Sequence, residues 1–268
     1  MRAFILLLVL GTAVPASAAE LRSETVAAFD RYVRATERRM DDKATPFLLV
    51  DGMPEPQRAA ALAALRKGEL FVEAVKTREA GRDIDIPDGL VHHWAGVVFV
   101  PGGTVERAVG LLQDYDRHAA IYAPNVARSK LLERDRDRFK VHLRFFMKKV
   151  ITVVVNSDHD ARFTRVAADR ASSRIYSTRI VEVENPGTAR EREKPVGNDS
   201  GYLWRLNSYW RFLERDGGVY VQCESITLTR GIPFGTGWIV KPFVTSIPRE
   251  TLTFTLDTTR KALTERAM

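Results

Sequence analysis

The side chains that could carry acid–base chemistry lie mostly in residues 202–212 and in the strand predicted to follow them. A general acid or base must be a titratable group that reaches into a cavity. The polar candidates are Tyr176, Arg205, Tyr209, Arg211 and Glu224. A glutamate next to an arginine is typical of a structural ion pair, although a buried charged pair can also orient the polar end of a ligand. Both interpretations of Glu224 stay open from the sequence.

The remaining reactive residue types form no recognisable site. The chain has five histidines, namely His92, His93, His118, His142 and His159. His92 and His93 are adjacent, so on a strand they point to opposite faces, and the others lack the spacing of metal ligands. GxSxG and GxGxxG motifs are absent, and the sole cysteine, Cys223, is expected to be a small buried residue. We therefore assign no catalytic residue by motif and predict neither a metal nor another cofactor.

The stretch YLWRLNSYWRF, residues 202–212, alternates with the period of a β-strand. One face carries mainly aromatic and apolar side chains: Tyr202, Trp204, Leu206, Ser208, Trp210 and Phe212. The other face is mixed: Leu203, Arg205, Asn207, Tyr209 and Arg211. The aromatic face is either packed core or the wall of a ligand cavity.

Asp216-Gly217 between alternating segments predicts a two-residue hairpin turn. This turn fixes the cross-strand pairs Arg215–Gly218, Phe212–Val221, Trp210–Cys223 and Trp204–Thr229. The aromatic face would then continue through Val219, Val221, Cys223, Ser225 and Thr227. On the opposite face Arg211 would lie diagonal to Glu224, and we expect these two side chains to pair.

The helices and strands that must position these residues are predicted from hydrophobic periodicity and from residues that begin or end an element. Helices are predicted over 20–41 and 55–67, then after Thr104 as an N-cap, and at the C-terminus. Antiparallel strands are predicted at 125–134, 138–148, 150–157, 161–168, 172–184, 202–214 and 218–230. His159 in "SDHD" is interpreted as a turn residue. Pro242 is expected to kink or interrupt the C-terminal helix, and Pro248 to open its second part.

Composition limits the partners. The chain has 268 residues, is 45% hydrophobic and carries a formal charge of +7. This mild excess of positive charge favours an anionic membrane surface or an acidic ligand as a partner. No cluster of basic residues is dense enough to suggest an arm that binds nucleic acid. Lys140, His142 and Arg144 form a basic strand face, which we interpret as solvated, with contact to acidic lipid headgroups as the alternative.

Residues 1–19 have the layout of a secretory signal peptide. Arg2 precedes an apolar run that ends near Pro15 and a stretch of small residues. Cleavage is expected after Ala18 or Ala19. We therefore expect an exported bacterial protein that is periplasmic or secreted and relies on its core instead of disulfides.

Two motifs resemble the START/polyketide-cyclase-like superfamily, whose fold is called helix-grip. They are "PNVARSKLLE" at 124–133 and the Ile247-Pro248 pair before the closing helix. The resemblance covers residues 89–268 and leaves 20–88 as an N-terminal helical extension. It implies an α+β fold in which a curled antiparallel sheet surrounds a long C-terminal helix, with a cavity between them. The superfamily includes lipid-transfer modules, cyclases and aromatases.

With this resemblance, the sequence favours an exported protein that holds a lipid or another hydrophobic small molecule, with lipid transfer as a further role that the resemblance implies. The cavity residues implied are Tyr202, Trp204, Leu206, Trp210, Phe212, Val221, Cys223, Trp238 and Phe243. The polar candidates are Arg205, Arg211, Glu224 and Tyr176. Two alternatives remain. One is a cyclase-, aromatase- or hydrolase-like enzyme that uses Glu224 in the cavity, and the other is a non-catalytic periplasmic protein that binds a partner through residues 20–88.

Overall fold

The computed structural model describes residues 19–148, 152–231 and 237–265, with the side chains of 237–245 left out. The helices are α1 (Ser23–Asp41), α2 (Gln57–Arg66), α3 (Val105–Gln113), α4 (His118–Ile121) and α5 (Gly237–Glu265). The strands are β1 (Ala19–Glu20), β2 (Phe71–Ala74), β3 (Arg78–Glu79), β4 (Arg82–Asp83), β5 (Gly89–Pro101), β6 (Val126–Asp135), β7 (Arg138–Lys148), β8 (Thr152–Ala167), β9 (Arg170–Glu184), β10 (Arg192–Glu193), β11 (Asn198–Asp199), β12 (Arg205–Arg215) and β13 (Gly218–Arg230).

Nine of these strands form one antiparallel sheet. Its order is β2-β5-β13-β12-β9-β8-β7-β6, with β10 paired to β9 outside this path. Short turns join β6 to β7, β8 to β9, and β12 to β13, as expected for a meander. The remaining strands form two small pairs, β1 with β11 and β3 with β4.

Helices cover the sheet on both faces. We call the face that packs against α3 and α5 the α5 face, and the face that packs against α1 and α2 the α1 face. Leu252, Leu256 and Leu263 of α5 are buried in the core of the α5 face. On the α1 face, Phe29 of α1 packs with Ile226, and α2 packs against the same side of the sheet. This arrangement confirms the predicted α+β class and the helix-grip fold.

Helices α1 and α2 of the N-terminal extension lie on the back of the sheet, away from α5, whereas β2 of the extension pairs with β5 in the sheet itself. In α1, buried residues recur at helical spacing, among them Phe29, Tyr32, Val33 and Thr36. Polar contacts add to this packing, because Glu37 accepts hydrogen bonds from tyrosines of β9 and β12. The apolar stripe of α1 was visible in the sequence, but the surface that it covers was not.

The β12–β13 hairpin has the predicted register. Asp216 and Gly217 have φ angles of 57° and 74°, as a type I′ turn requires. The pairs Arg215–Gly218, Phe212–Val221 and Trp210–Cys223 are present. The predicted N-cap of α3 is also confirmed, since Thr104 Oγ1 accepts from Arg107 N at 3.3 Å.

Two predicted boundaries are wrong. The strands predicted on either side of "SDHD" are one long strand, β8, and His159 lies inside it at a register shift between Asp158 and His159. The extra residue of this β-bulge is Thr178 of β9, so β8 continues without interruption. The helix α5 is also continuous through Pro242 and Pro248, so Pro242 does not interrupt it.

The predicted signal peptide falls almost entirely on residues outside the described ranges. Within those ranges, no helix is both long enough and apolar enough to span a bilayer.

Candidate functional site

Cross-strand partners in β5, β13, β12 and β9 form rows that run across the sheet. On the α5 face, two consecutive rows consist entirely of buried residues, and we call them the closed rows. Their members are Val98, Val221, Phe212 and Ala171, followed by Gly96, Cys223, Trp210 and Ser173. The C-terminal half of α5 packs here, because a Cβ on Gly96 would lie 2.6 Å from Leu256 Cδ1. These rows are filled core.

The next two rows on the same face are different, because every member is partly exposed. We call them the open rows. Their members are Trp94, Ser225, Ser208 and Ile175, followed by His92, Thr227, Leu206 and Ser177. They combine large apolar groups with hydroxyls. A surface of this kind suits a mainly apolar molecule that makes a few hydrogen bonds.

The titratable groups at the open rows are uncharged at neutral pH. Burial lowers the pKa of His92 to about 4, and His92 Nε2 lies 3.0 Å from Thr229 Oγ1. His159 extends the second row beyond Ser177, and burial also lowers its pKa to about 4. The open rows therefore present no formal charge to a ligand.

Two polar atoms along the second open row lack a hydrogen-bond partner among the described residues. They are Thr227 Oγ1 and His159 Nδ1, both inaccessible to solvent. The other ring nitrogen of His159, Nε2, contacts Ser157 Oγ at 2.8 Å. A buried polar atom without a partner costs stability.

The structure divides the predicted cavity residues among several locations. Trp210, Phe212, Val221 and Cys223 are on the α5 face but belong to the closed rows. Leu206 is in the second open row. Tyr202 is half-buried and lines a cleft of about 530 Å³ together with Glu182 and Lys194. Trp238 and Phe243 lie outside the described side chains.

Trp204 was assigned to the wrong face. It packs in the α1-face core with Phe29 and Leu228, and its Nε1 donates to Asp199 Oδ1 at 3.0 Å. The strand begins only at Arg205. The strict alternation that places Leu206 and Trp210 together therefore does not extend back to Trp204.

All four polar candidates lie on the α1 face, away from the open rows. Arg205 and Arg211 are ladder partners of Leu228 and Gln222, and Tyr176 donates to Glu37 of α1 at 2.5 Å. Glu224 is 1% exposed on the same face. The hypothesis of an enzyme that uses Glu224 inside the α5-face cavity is therefore wrong.

Glu224 is bound by residues other than the predicted Arg211. His93 Nε2 lies 2.7 Å from Glu224 Oε1, and the Arg39 guanidinium donates to the same oxygen. His93 Nδ1 in turn contacts Tyr32 Oη at 3.0 Å. Burial alone would raise the pKa of Glu224, but the His93 hydrogen bond and the positive charge of Arg39 lower it below its usual value. Glu224 is thus a structural carboxylate that joins α1 to the sheet.

The basic strand face of β7 is neutralised by neighbouring carboxylates. Lys140 Nζ is 2.7 Å from Glu133, His142 Nδ1 is 2.7 Å from Asp158, and Arg144 Nη1 is 2.8 Å from Glu191. In the part of the chain that the structure describes, no group of three or more potential ligands could hold a metal ion.

Sequence reasoning missed Trp94 and Ile175, the largest side chains of the first open row. Trp94 lies an even number of residues from Val98 and Val100 in "LVHHWAGVVFV". This spacing could have placed it on the same face of the strand as those two residues. Its exposure was not readable from the sequence, because it depends on where the packing of α5 ends.

Comparison with known proteins found similar solved structures. No family model and no curated protein matches the chain. A STAR-related lipid transfer protein from Xanthomonas axonopodis is 16% identical, with a TM-score of 0.46 over 72% of this chain and 98% of that one. An aromatase/cyclase, Zhui, from a Streptomyces species is 13% identical, with a TM-score of 0.45 over 67% and 97%. A START superfamily protein from Mycobacterium smegmatis is 11% identical, with a TM-score of 0.41 over 65% and 98%.

Proposed function

We propose that the protein binds a neutral hydrophobic small molecule or lipid against the open rows of the α5 face. The observation that carries the proposal is the abrupt change from two fully buried rows to two partly exposed rows on one continuous face. Trp94, Ile175 and Leu206 would contact the apolar part of the ligand. Ordinary core packing does not explain why these three apolar residues stay partly exposed beside hydroxyl groups.

The polar atoms of the site limit the chemistry of the ligand. His92 and His159 are uncharged, and the row residues include no lysine, arginine or carboxylate. An anionic headgroup placed on these rows would be desolvated without a counter-charge from the row residues, which is costly. A hydroxyl or carbonyl group could instead bond to the hydroxyl of Ser208 or Ser225, which are partly exposed.

The test is extraction of the purified protein with organic solvent, followed by mass spectrometry, together with titration of a fluorescent long-chain alcohol. We expect a co-purified apolar molecule and saturable binding of the probe. Ile175→Trp should fill the first open row and weaken binding by roughly tenfold or more, about 1.4 kcal/mol.

The matched control is Val166→Trp, which adds the same ring at an exposed position of β8. It should bind the probe like the parent protein. An empty, folded protein that takes up no probe would disprove the proposal, and so would equal binding by the Ile175→Trp variant.

We further propose that the protein is exported and carries its ligand outside the cytoplasm, touching anionic membrane surfaces transiently. The signal-peptide layout of residues 1–19 and the formal charge of +7 support this proposal. Fractionation of bacteria that express the full chain or a chain lacking residues 2–19 tests it. We expect only the full chain in the periplasm or medium, and a full chain that stays in the cytoplasm would contradict export.

A further inference from the structure

A second candidate site lies on the α1 face, separate from the open rows. A cleft of about 320 Å³ separates the sheet from residues 42–56, which connect α1 to α2. We call it the α1-face cleft. Its charged and polar lining residues are Arg39, Thr45, Glu73, Arg211, Gln222 and Glu224. Its apolar lining residues include Pro46, Leu48, Leu49, Met53 and Pro54. The cleft is thus polar at its floor and apolar along the connecting segment.

Two carboxylates share the floor of the α1-face cleft. Glu73 of β2 and Glu224 of β13 are both ladder partners of Ala95, so they occupy one row with only a methyl group between them. Glu224 is already bound by His93 and Arg39. Glu73 has no hydrogen-bond or ion-pair partner among the described residues. Its burial, together with the charge of Glu224, raises its pKa. The Glu73 carboxylate therefore has no positively charged partner among the described residues.

Two positively charged side chains, Arg211 and Arg39, line the other side of the cleft. The Arg211 guanidinium donates to the carbonyl oxygens of Phe47 at 2.9 Å, Met40 at 3.2 Å and Pro46 at 3.3 Å. These bonds fix its position without neutralising its charge, and burial lowers its pKa. Arg39 uses one nitrogen for Glu224, and its side chain is 36% exposed. The cleft thus offers donors for an anion close to an unpaired carboxylate.

We propose that the α1-face cleft binds a small zwitterion of the α-amino-acid class with an apolar side chain. Its ammonium group pairs with Glu73, its carboxylate faces Arg39 and Arg211, and its side chain lies against Leu48, Leu49 and Met53. A cation without a carboxylate would face the two guanidinium groups, and an anion without an amine would face Glu73. Only a molecule with both charges compensates both sides of the cleft.

The probes are leucine, its amide and its N-acetyl derivative, each titrated by calorimetry into the full chain. Free methionine and phenylalanine are tested as amino acids with other apolar side chains. Leucine, methionine or phenylalanine should bind at millimolar concentration or below. Leucinamide lacks the carboxylate and N-acetylleucine lacks the amine, so each should bind roughly tenfold more weakly or worse than leucine. Binding by none of the three amino acids overturns the proposal. Equal binding of N-acetylleucine and leucine also overturns it.

The variant that tests the role of Glu73 is Glu73→Gln. Because Glu73 is unpaired, its neutral analogue should fold at least as well as the parent while losing leucine binding roughly tenfold or more. Glu69→Gln is the matched control, since Glu69 is exposed, precedes the same strand and does not line the cleft. Unchanged binding by Glu73→Gln overturns the proposal. Titration of the fluorescent alcohol into both variants keeps the result independent of the α5-face site.

Discussion

At the residue scale, Glu224 shows how a buried charge can be structural. Its carboxylate is held by His93 of β5 and Arg39 of α1, residues that are 131 and 185 positions away in sequence. The series of hydrogen bonds continues from His93 to Tyr32, which also belongs to α1. The contact set therefore joins the extension to two strands of the sheet.

Glu224→Ala should lower the free energy of unfolding by about 1–3 kcal/mol, because it leaves a ring nitrogen of the buried His93 without its acceptor and removes the carboxylate partner of the partly exposed Arg39. Urea unfolding at neutral pH measures this loss. Glu133→Ala, which removes an exposed carboxylate of β6 paired with Lys140, is the control and should cost far less. A Glu224→Ala variant as stable as the control would contradict the structural role.

The same substitution has a predictable pH dependence. The folded-state pKa of Glu224 is lowered, so its stabilising contribution is present above the unfolded value of about 4.3 and is lost as the pH falls through the lower folded value. The difference in stability between the parent and Glu224→Ala should therefore shrink below about pH 4. A difference that grows on acidification would refute this assignment.

Single residues were predictable where strand register alone decided their location. The alternation of side chains along 202–212 correctly placed Arg211 on the face opposite Trp210. The predicted pairing of Trp210 with Cys223 was also correct. The partner of Glu224 was not predictable, since Arg39 and His93 meet it only through the docking of α1 and the position of β5. Trp204 failed because the parity rule was applied one residue before the strand begins.

At the scale of elements, α5 contacts the sheet closely because β5 has a glycine at the point of contact. A Cβ at position 96 would lie 2.6 Å from Leu256 Cδ1 and 2.9 Å from the carbonyl oxygen of Phe71. One of these atoms belongs to the backbone of β2, which cannot rotate away. The glycine thus sets the distance between helix and strand.

Gly96→Ala should destabilise the protein by about 1–3 kcal/mol through this overpacking. Gly110→Ala in α3 is the matched control, because Gly110 is exposed, has no neighbour within 4 Å and lies inside a helix. It should stabilise the protein by up to about 1 kcal/mol. Thermal unfolding of both variants measures the contrast, and a Gly96→Ala variant at or above the stability of the parent would show that α5 is not held this closely.

Elements were predictable where a local signal was sufficient. Asp216-Gly217 specified both the turn and the register of its two strands, and Thr104 marked the start of α3. "SDHD" also resembled a turn in composition, but the pairing of β8 with β7 and β9 continues through it by a bulge. Tertiary pairing overrode local preference there. The open rows depend on the length over which α5 packs, which no local signal contains.

At the scale of the whole molecule, the extension acts as a second cover for the sheet. The α1 face buries Tyr209, Ile226 and Leu228 under α1, and Val97 and Phe99 under α2 and the segment before it. Without residues 20–67 this apolar face and the buried Glu224 would be in water.

A chain that starts at Leu70 should fail to give a soluble folded monomer, because it exposes a large apolar sheet face. The control is the chain that starts at Glu20. Size-exclusion chromatography and circular dichroism of both chains measure the outcome. A soluble monomer with cooperative unfolding would show that the chain from Leu70 onward folds without α1 and α2.

The division of the α5 face into closed and open rows has a consequence for how this protein can evolve. Folding energy comes largely from Val98, Phe212 and their buried neighbours, whereas Trp94, Ile175 and Leu206 contribute less because they remain partly in water. Substitutions at those three positions can accumulate without unfolding the chain. Under the proposed function, homologues that keep the same scaffold could diverge in ligand preference, and the tryptophan at position 94 is where we expect that divergence to be greatest.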